Sequence, residues 1–555
     1  MKYFLVTLFF TYSIVNYSDA QICNNSLSYA HLNINNVDAT IDNADVLWST
    51  LTGSGEDDTA GFVAPKGGSA NALFAGALWI GGIDQGGQLH LAAATYRQSG
   101  NDFFPGPLDS NGVAVNTLFN FDTVWVIYKS TIDSFRAGLF ASIPNSIKYW
   151  PAQGNPSLPN LPNQALAPYV DVNNNGIYDP ANGDYPAVNG DEATWEVFND
   201  NFCQVHGETH GLPLGIEVHL MTYAFKVDSG NSCLNYTNFY HYNIYNKSKS
   251  EYDSTYVAIF ADPDIGCFLD DYAGCIEGLN MGVGYNGEAN DGGNGAVCPF
   301  GIPDYGAYPP LLGIQMINLP LNENGDTMHM ESFMSYINDY TINGNPTAVA
   351  SCYYNLMRSR WCDNTHLTYY GDGHGGTTNC NYSYPSDPTD TDSIAWSDCH
   401  DSVNGGSQYF SDVRFVMGFG PTTFNPGSTI SYTFDVLFDN DTSQIQYPCP
   451  SFASLINMAN CVKAANVTGI NTPALEKLII NFYPNPMGDA GTFSFKPNTV
   501  KEIKLFNILG EQLRDYTGIN GTALQLQRGD LSPGIYFYSV ITKTGITGNG
   551  KIVIQ

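Results

Sequence analysis

The stretch YTNFYHYNIY, Tyr236 to Tyr245, decides how the rest of the chain is read. Aromatic or β-branched residues alternate with polar ones, a period of two that gives an extended strand one buried and one wetter face. Val218 to Val227 and Asp253 to Phe260, on either side, repeat the pattern, as do Asp412 to Phe419 and Thr429 to Phe438 further on. Pro426-Gly427 between the last two predicts a hairpin-type connection. Leu73 to Ile83 (LFAGALWIGGI) is apolar and punctuated by glycine, which suits a buried strand closely approached by other parts of the chain. Composition agrees: charged residues make up only 13% of the 555, against 56 Gly, 36 Tyr, 31 Phe and 30 Pro. Turn formers and aromatics at this density favour an all-β protein. With 43% hydrophobic residues the chain is no disordered acidic tail. Its formal net charge of -32 repels phosphate backbones and anionic lipid, which excludes nucleic-acid binding and polybasic membrane docking.

The N-terminus has the form of a secretory signal over residues 1–20: Lys2, an apolar run from Phe4 to Val15, then Ser18-Asp19-Ala20 as a cleavage site. That run is too short for a transmembrane helix, and no other segment qualifies, so no transmembrane segment is expected. The twelve cysteines contain no CxxC pair, which argues against zinc ribbons and redox motifs. In an exported chain they read as structural disulfides. Local spacing suggests Cys267–Cys275, Cys352–Cys362, Cys380–Cys399 and Cys449–Cys461, although spacing alone leaves the connectivity open.

Charge and cysteine content both change near residue 470. Residues 476–555 carry 8 Lys+Arg against 6 Asp+Glu and no cysteine, whereas residues 1–475 carry 13 against 47. Residues 463–475 have no hydrophobic period and read as a linker. Beyond it, Leu478 to Tyr483, Gly491 to Lys496, Glu502 to Asn507, Ala523 to Gln527, Ile535 to Ile541 and Lys551 to Ile554 read as short strands of a small two-sheet sandwich. Tyr483-Pro484-Asn485-Pro486, Ile503 to Gly510 (IKLFNILG), Leu531 to Tyr536 (LSPGIY) and Gly550 to Ile554 (GKIVI) follow in order to the chain terminus. This set resembles the type A C-terminal sorting domain of the Bacteroidetes type IX secretion system. The resemblance implies an Ig-like β-sandwich read by that machinery through residues 476–555. It further implies export across both membranes, removal of the tail, and release or attachment to a surface lipopolysaccharide.

The region ahead of the linker resembles, less specifically, a group of large secreted Bacteroidetes proteins without an assigned activity. The likeness rests on Phe74 to Gly82, Tyr96-Arg97-Gln98 through Pro105 to Asp109, Asp171 to Pro186, and Asp262 to Gly266. It implies an address and no reaction. From the strand signals we expect a multidomain β-sandwich protein with loop-rich insertions. An N-terminal β region over 21–210 precedes a β-sandwich over 211–462, which a disulfide-stapled insertion from about 265 to 405 interrupts.

The best local motif is Asp171-Val-Asn-Asn-Asn-Gly-Ile-Tyr-Asp179, continued by Asn182-Gly183-Asp184. Side-chain oxygens on Asp171, Asn173 and Asn175, Gly176 at the sixth position and the carbonyl of Ile177 at the seventh suit a loop around calcium. Asn182 replaces the bidentate Glu of the twelfth position, so Asp179 and Asp184 complete the charge, and the expected affinity is weak, roughly 10⁻⁴–10⁻³ M. Asp262, Asp264, Asp270 and Asp271 form a second acidic cluster, where neighbouring carboxylates repel unless a cation intervenes. His206-Gly-Glu-Thr-His210 is not a metalloprotease motif, because its Glu falls one place late and glycines oppose a helix. Glu196, Asp200, Glu208 and Glu217 are candidates for carboxylate chemistry without a known separation. Tyr236, Tyr240, Tyr242 and Tyr245 read as sandwich core with cross-strand aromatic pairs in preference to a sugar-stacking platform. No catalytic set and no organic cofactor stands out. The sequence therefore points to a secreted or surface protein stabilised by calcium and disulfides, with an adhesion, structural or ligand-binding role. A secreted hydrolase acting on polysaccharide or protein is the alternative, and the cargo ligand stays unidentified.

Overall fold

The computed structural model describes residues 28–50, 59–97, 100–115, 119–203, 206–228, 232–292, 298, 301–400, 412–441, 449–465, 481–495, 500–507, 512–519, 521–542 and 547–555. The signal segment 1–20 and most of the linker 463–475 lie outside them.

Two antiparallel nine-stranded sheets form the body. The first runs Tyr29–Leu32, Asp38–Asp42, Val46–Leu47, Leu73–Asp84, Tyr252–Pro263, Val413–Phe424, Met330–Ile337, with Phe62–Val63 and Leu89–Ala93 pairing at its side. The second runs Trp125–Tyr128, Glu192–Asn199, Ile216–Ala224, Thr237–Asn246, Thr429–Asp439, Leu311–Asn318, Met281–Asn286, Asp271–Ile276, with Phe104–Pro105 beside Glu192–Asn199.

The period-two pattern explains how the sheets meet. On Thr429–Asp439 the residues Ile430, Tyr432, Phe434, Val436 and Phe438 point into one core shared with the first sheet, whereas Leu437 faces a second core. Tyr240 lies opposite Phe434 and Tyr242 opposite Tyr432 in the register. Their rings stack at 4.8 and 5.2 Å, so two of the four tyrosines expected in the core form direct cross-strand pairs there; Tyr236 is partly buried beside it, and Tyr245 lies outside it against the His219 ring. Each such buried ring is worth about 1.5–3 kcal/mol relative to exposure. The glycines of Leu73–Asp84 admit the close approach their spacing suggests: a Cβ on Gly76 would sit 2.1 Å from the Trp48 ring.

Three expectations change. Strand pairing crosses residue 210 in both sheets: Leu73–Asp84 pairs with Tyr252–Pro263, and Glu192–Asn199 with Ile216–Ala224. The expected boundary between 21–210 and 211–462 therefore coincides with no break in the sheets. Within the insertion at 265–405, four strands complete the sheets, because Leu311–Asn318 and Met330–Ile337 hydrogen-bond to Thr429–Asp439 and Val413–Phe424. Pro426-Gly427 makes no hairpin, since the strands on either side enter opposite sheets.

Disulfides join Cys233–Cys461, Cys267–Cys298, Cys352–Cys362 and Cys399–Cys449. Only Cys352–Cys362 matches the local spacing. Cys267–Cys275, Cys380–Cys399 and Cys449–Cys461 do not form; Cys275 and Cys380 are free thiols. Proximity in sequence fails because Cys275 is held in the edge strand Asp271–Ile276 with its thiol against the Ser383 carbonyl at 3.6 Å, while Cys267 meets Cys298, 31 residues on.

Residues 481–555 form a separate two-sheet sandwich. Asn481–Tyr483, Ala490–Ser494 and Ala523–Gln527 make one sheet; Gln512–Thr517, Val500–Phe506, Gly534–Thr542 and Thr547–Ile554 make the other. Phe493, Ile503, Leu505, Leu526, Val540 and Ile552 are buried in its own core.

Candidate functional site

At one end of the first sheet, Leu73–Asp84 and Val413–Phe424 begin where Tyr252–Pro263 and Met330–Ile337 end. The register sets Ala261 opposite Phe415, Asp262 opposite Ala75, and Tyr336 opposite Arg414. Side chains from four strand ends thus converge on a cavity of about 880 Å³, whose lining includes Phe74, Tyr96, Glu208, Asp262, Asp264, Tyr336, Asn338, Tyr340, Tyr353, Asp412 and Arg414.

Arg414 organises one wall. Its Nε donates to the Tyr96 hydroxyl at 2.7 Å, and Tyr96 donates onward to Asp262 Oδ2 at 2.6 Å. The guanidinium also lies 3.2 Å from Asp262 Oδ2 and 2.5 Å from Asp412 Oδ1. Asn338 donates to Asp412 Oδ2 at 2.7 Å. Burial pushes Asp264 well above the usual carboxylate range, and the charges of Asp262 and Asp412 push it further; burial also raises Asp262, against the pull of Arg414. Burial and the charge of Asp262 likewise keep the Tyr96 phenol protonated.

Glu208 lines the same cavity. The turn after His206 is fixed by Asp102, whose Oδ1 accepts the Glu208 and Thr209 N–H groups at 3.0 and 3.3 Å, while its Oδ2 accepts the Thr209 hydroxyl at 2.6 Å. Glu208 Oε1 then accepts from Tyr353 at 2.8 Å and from the Thr95 hydroxyl. Burial holds the Glu208 carboxyl above its ordinary range. Of the four candidate carboxylates, only Glu208 reaches the cavity. Glu217 pairs with His219 at 2.9 Å, Asp200 accepts the Leu214 and Ile216 N–H groups at 2.5 and 2.8 Å, and Glu196 accepts that of Ala44 at 3.0 Å. Both ring nitrogens of His206 face carbonyls, of Leu91 and Asp200, at 2.7 Å.

The acidic cluster expected at Asp262, Asp264, Asp270 and Asp271 divides. Asp262 and Asp264 join Asp412 in the cavity. Asp270 instead approaches Asp291, where protein donors serve both: Asn286 and Gly292 on Asp270, Cys267 and Tyr305 on Asp291.

The loop at 171–184 is closed by hydrogen bonds among its own residues. Asp171 accepts the N–H groups of Asn175 and Gly176 at 3.2 and 2.8 Å, Asn174 and Gly176 have φ of 57° and 81°, and Asp184 accepts those of Val172 and Asp179 at 2.8 Å each. Asp179 accepts the side-chain amides of Asn182, Asn173 and Asn175 at 2.7, 3.0 and 3.0 Å, and the first of these contributes most to holding its carboxyl below the usual range. Ile177 is 39% exposed, at the outer edge of the loop.

Tyr96, Asp412 and Arg414 are among the site residues that sequence reasoning did not single out for chemistry, as are Asn338, Tyr340 and Tyr353. One signal was present: Phe74, Tyr96, and Asp262 with Asp264 lie in three of the four stretches that carry the likeness to large secreted proteins.

Residues 481–555 match the family model of the secretion system C-terminal sorting domain. That module is a type IX secretion sorting domain, and it marks the protein as secreted or held on the outer cell surface. Among the described residues no helix is long and apolar enough to cross a membrane. No curated protein matches the sequence. A solved polysaccharide lyase aligns with 61% of this chain and 34% of its own length, so the alignment spans about a third of that lyase. Identity is 7% and the TM-score 0.17, too little to carry an argument about this protein.

Proposed function

We propose that the acidic body is an exported ligand-binding protein whose cavity takes a saccharide. The supporting observation is Tyr340, which stands 95% exposed at the rim of the cavity lined by Asn338, Asn345 and the carboxylates. An aromatic left in water offers a flat apolar face, and amides and carboxylates beyond it suit the hydroxyl edges of a sugar ring. About 880 Å³ lies within the size range of small-molecule sites. A secreted hydrolase is the second reading. A carboxyl held above its ordinary range, as burial does to Glu208, is what a general acid requires.

Purified exported protein, titrated with a saccharide panel while product release is followed, separates the two. We expect saturable binding without turnover. Tyr340→Ala should weaken it about 3–10-fold, and its exposure means the unfolding midpoint stays put. Turnover lost in Glu208→Gln would favour the hydrolase, and the absence of any binding would overturn the proposal.

On the same reading, a structural calcium ion sits in the loop of Asp171, Asn173, Asn175, Ile177, Asp179 and Asp184, and surface lipopolysaccharide is the attachment point once the tail is removed. The alternating oxygen donors support the first. Millimolar calcium should raise the unfolding midpoint above that in EDTA, by less in Asp179→Asn; equal shifts in the two proteins would count against the loop.

A further inference from the structure

Three carboxylates of the cavity pose a charge problem that the protein leaves unsolved. Oxygens of Asp262, Asp264 and Asp412 all lie within 4.8 Å of one another. Arg414 is the one cationic side chain among the lining residues, and it covers a single oxygen on each of two of them, Asp262 Oδ2 and Asp412 Oδ1. With all three ionised, three negative charges would face one positive, a deficit of two that protons or a bound cation must make up.

Each of the three has an oxygen that Arg414 leaves uncovered. Asp262 is 1% exposed, and its Oδ1 has no hydrogen-bond partner. An ionised carboxylate oxygen without a donor at that depth is costly unless something positive completes it. Asp264 lines the same cavity, and among the described residues no donor reaches its carboxylate. Asp412 Oδ2 takes one amide hydrogen from Asn338 and has a second lone pair to offer. Spacing fits as well. Two oxygens bound to one calcium ion at 2.3–2.6 Å can be no more than about 5 Å apart, and these three meet that limit. The neighbouring group of Asp270 and Asp291 lacks this property, because protein donors fill both residues and the Sγ of Cys267 is tied up in a disulfide.

We propose that Asp262, Asp264 and Asp412 bind one hard divalent cation, of the calcium type, in the cavity that Glu208 also lines. The all-oxygen donor set selects against thiophilic metals. Arg414 and Tyr96 hold Asp262 Oδ2 in place and so direct its Oδ1 to the ion. The cation would supply open coordination positions facing the cavity, where hydroxyls of a bound ligand could replace water. Its binding does not depend on the saccharide reading, because the ion alone is the probe.

The test uses full-length exported protein freed of metal by chelation and titrated calorimetrically with CaCl2 alone. Asp179→Asn disables the separate 171–184 loop and should retain one binding event; adding Asp264→Asn should abolish it. Among the described residues no donor reaches the Asp264 carboxylate, so the isosteric change, which keeps the backbone bonds to Ala72 and Gly266, should leave the unfolding midpoint unaltered. A double variant that binds as Asp179→Asn does, or an Asp179→Asn protein that binds nothing, overturns the proposal. Should the double variant fail to fold, wild-type crystals grown with MnCl2 decide: an anomalous peak between the three carboxylates supports the site, and its absence refutes it. An unchanged titration in Asp179→Asn alone would count only against the loop.

Discussion

Asp45 is fully buried, its Oδ1 accepting from the Tyr242 hydroxyl at 2.8 Å and its Oδ2 from the Leu78 N–H at 2.6 Å. Neither partner carries charge, and burial pushes its carboxyl from 3.8 to about 7. Asp42 rises to about 7 for the same reason, although Arg97 at 3.1 Å pulls it the other way. Raised folded-state values mean that the native protein holds protons the unfolded chain has already released. This contribution is complete below about pH 3.8 and is lost as pH rises through about 7. In EDTA the denaturant midpoint should therefore fall between about pH 4 and pH 7, with each such group contributing at most on the order of 4 kcal/mol. Asp45→Asn should flatten the fall, whereas a midpoint that rises over this window would contradict the assignment. Residues of this kind resist sequence reading. Asp45 looks like any turn aspartate until Tyr242, nearly 200 positions on, is brought against it. Tyr96, Asp412 and Arg414 are hidden in the same way, whereas Asp262 and Asp264 stood out as part of an acidic cluster. Glu208 was legible only as one acid among four, beside histidines that turned out to hold its loop.

Strands were legible where one face is apolar and the other polar. Tyr236 to Tyr245 and Thr429 to Phe438 declare themselves because buried aromatics recur at every second position. Partners were not legible: pairing between Leu73–Asp84 and Tyr252–Pro263 spans more than 160 residues without a local signal. The helix Ala453–Ala464 was also missed. It has no side-chain N-cap, and it buries only Leu455, Ala459 and Val462 on one face. Cys461 near its end is tied to Cys233, a sequence separation of 228, so the disulfide closes a loop that takes in three strands of the first sheet and five of the second. Converting both cysteines to serine should lower stability by about 2–5 kcal/mol, read from denaturant midpoints. An unchanged midpoint would mean that the helix is held by packing alone.

The whole molecule divides its tasks along the chain. Residues 481–555 carry their own core and match the sorting family, whereas the acidic body holds the described disulfides and the cavity. Deleting 481–555 should leave an oxidised body in the periplasm, detected by fractionation; undiminished surface display would contradict a sorting role. The central claim concerns the body, whose strand ends gather acids, aromatics and one arginine around a single cavity, proposed as the ligand site. Its most direct measurement is a crystal structure of the exported protein with the best-binding saccharide of the panel. The account predicts ligand density against the Tyr340 ring, reaching Asn338 and the wall of Asp264. A ligand bound elsewhere, with the cavity holding only water, would contradict it.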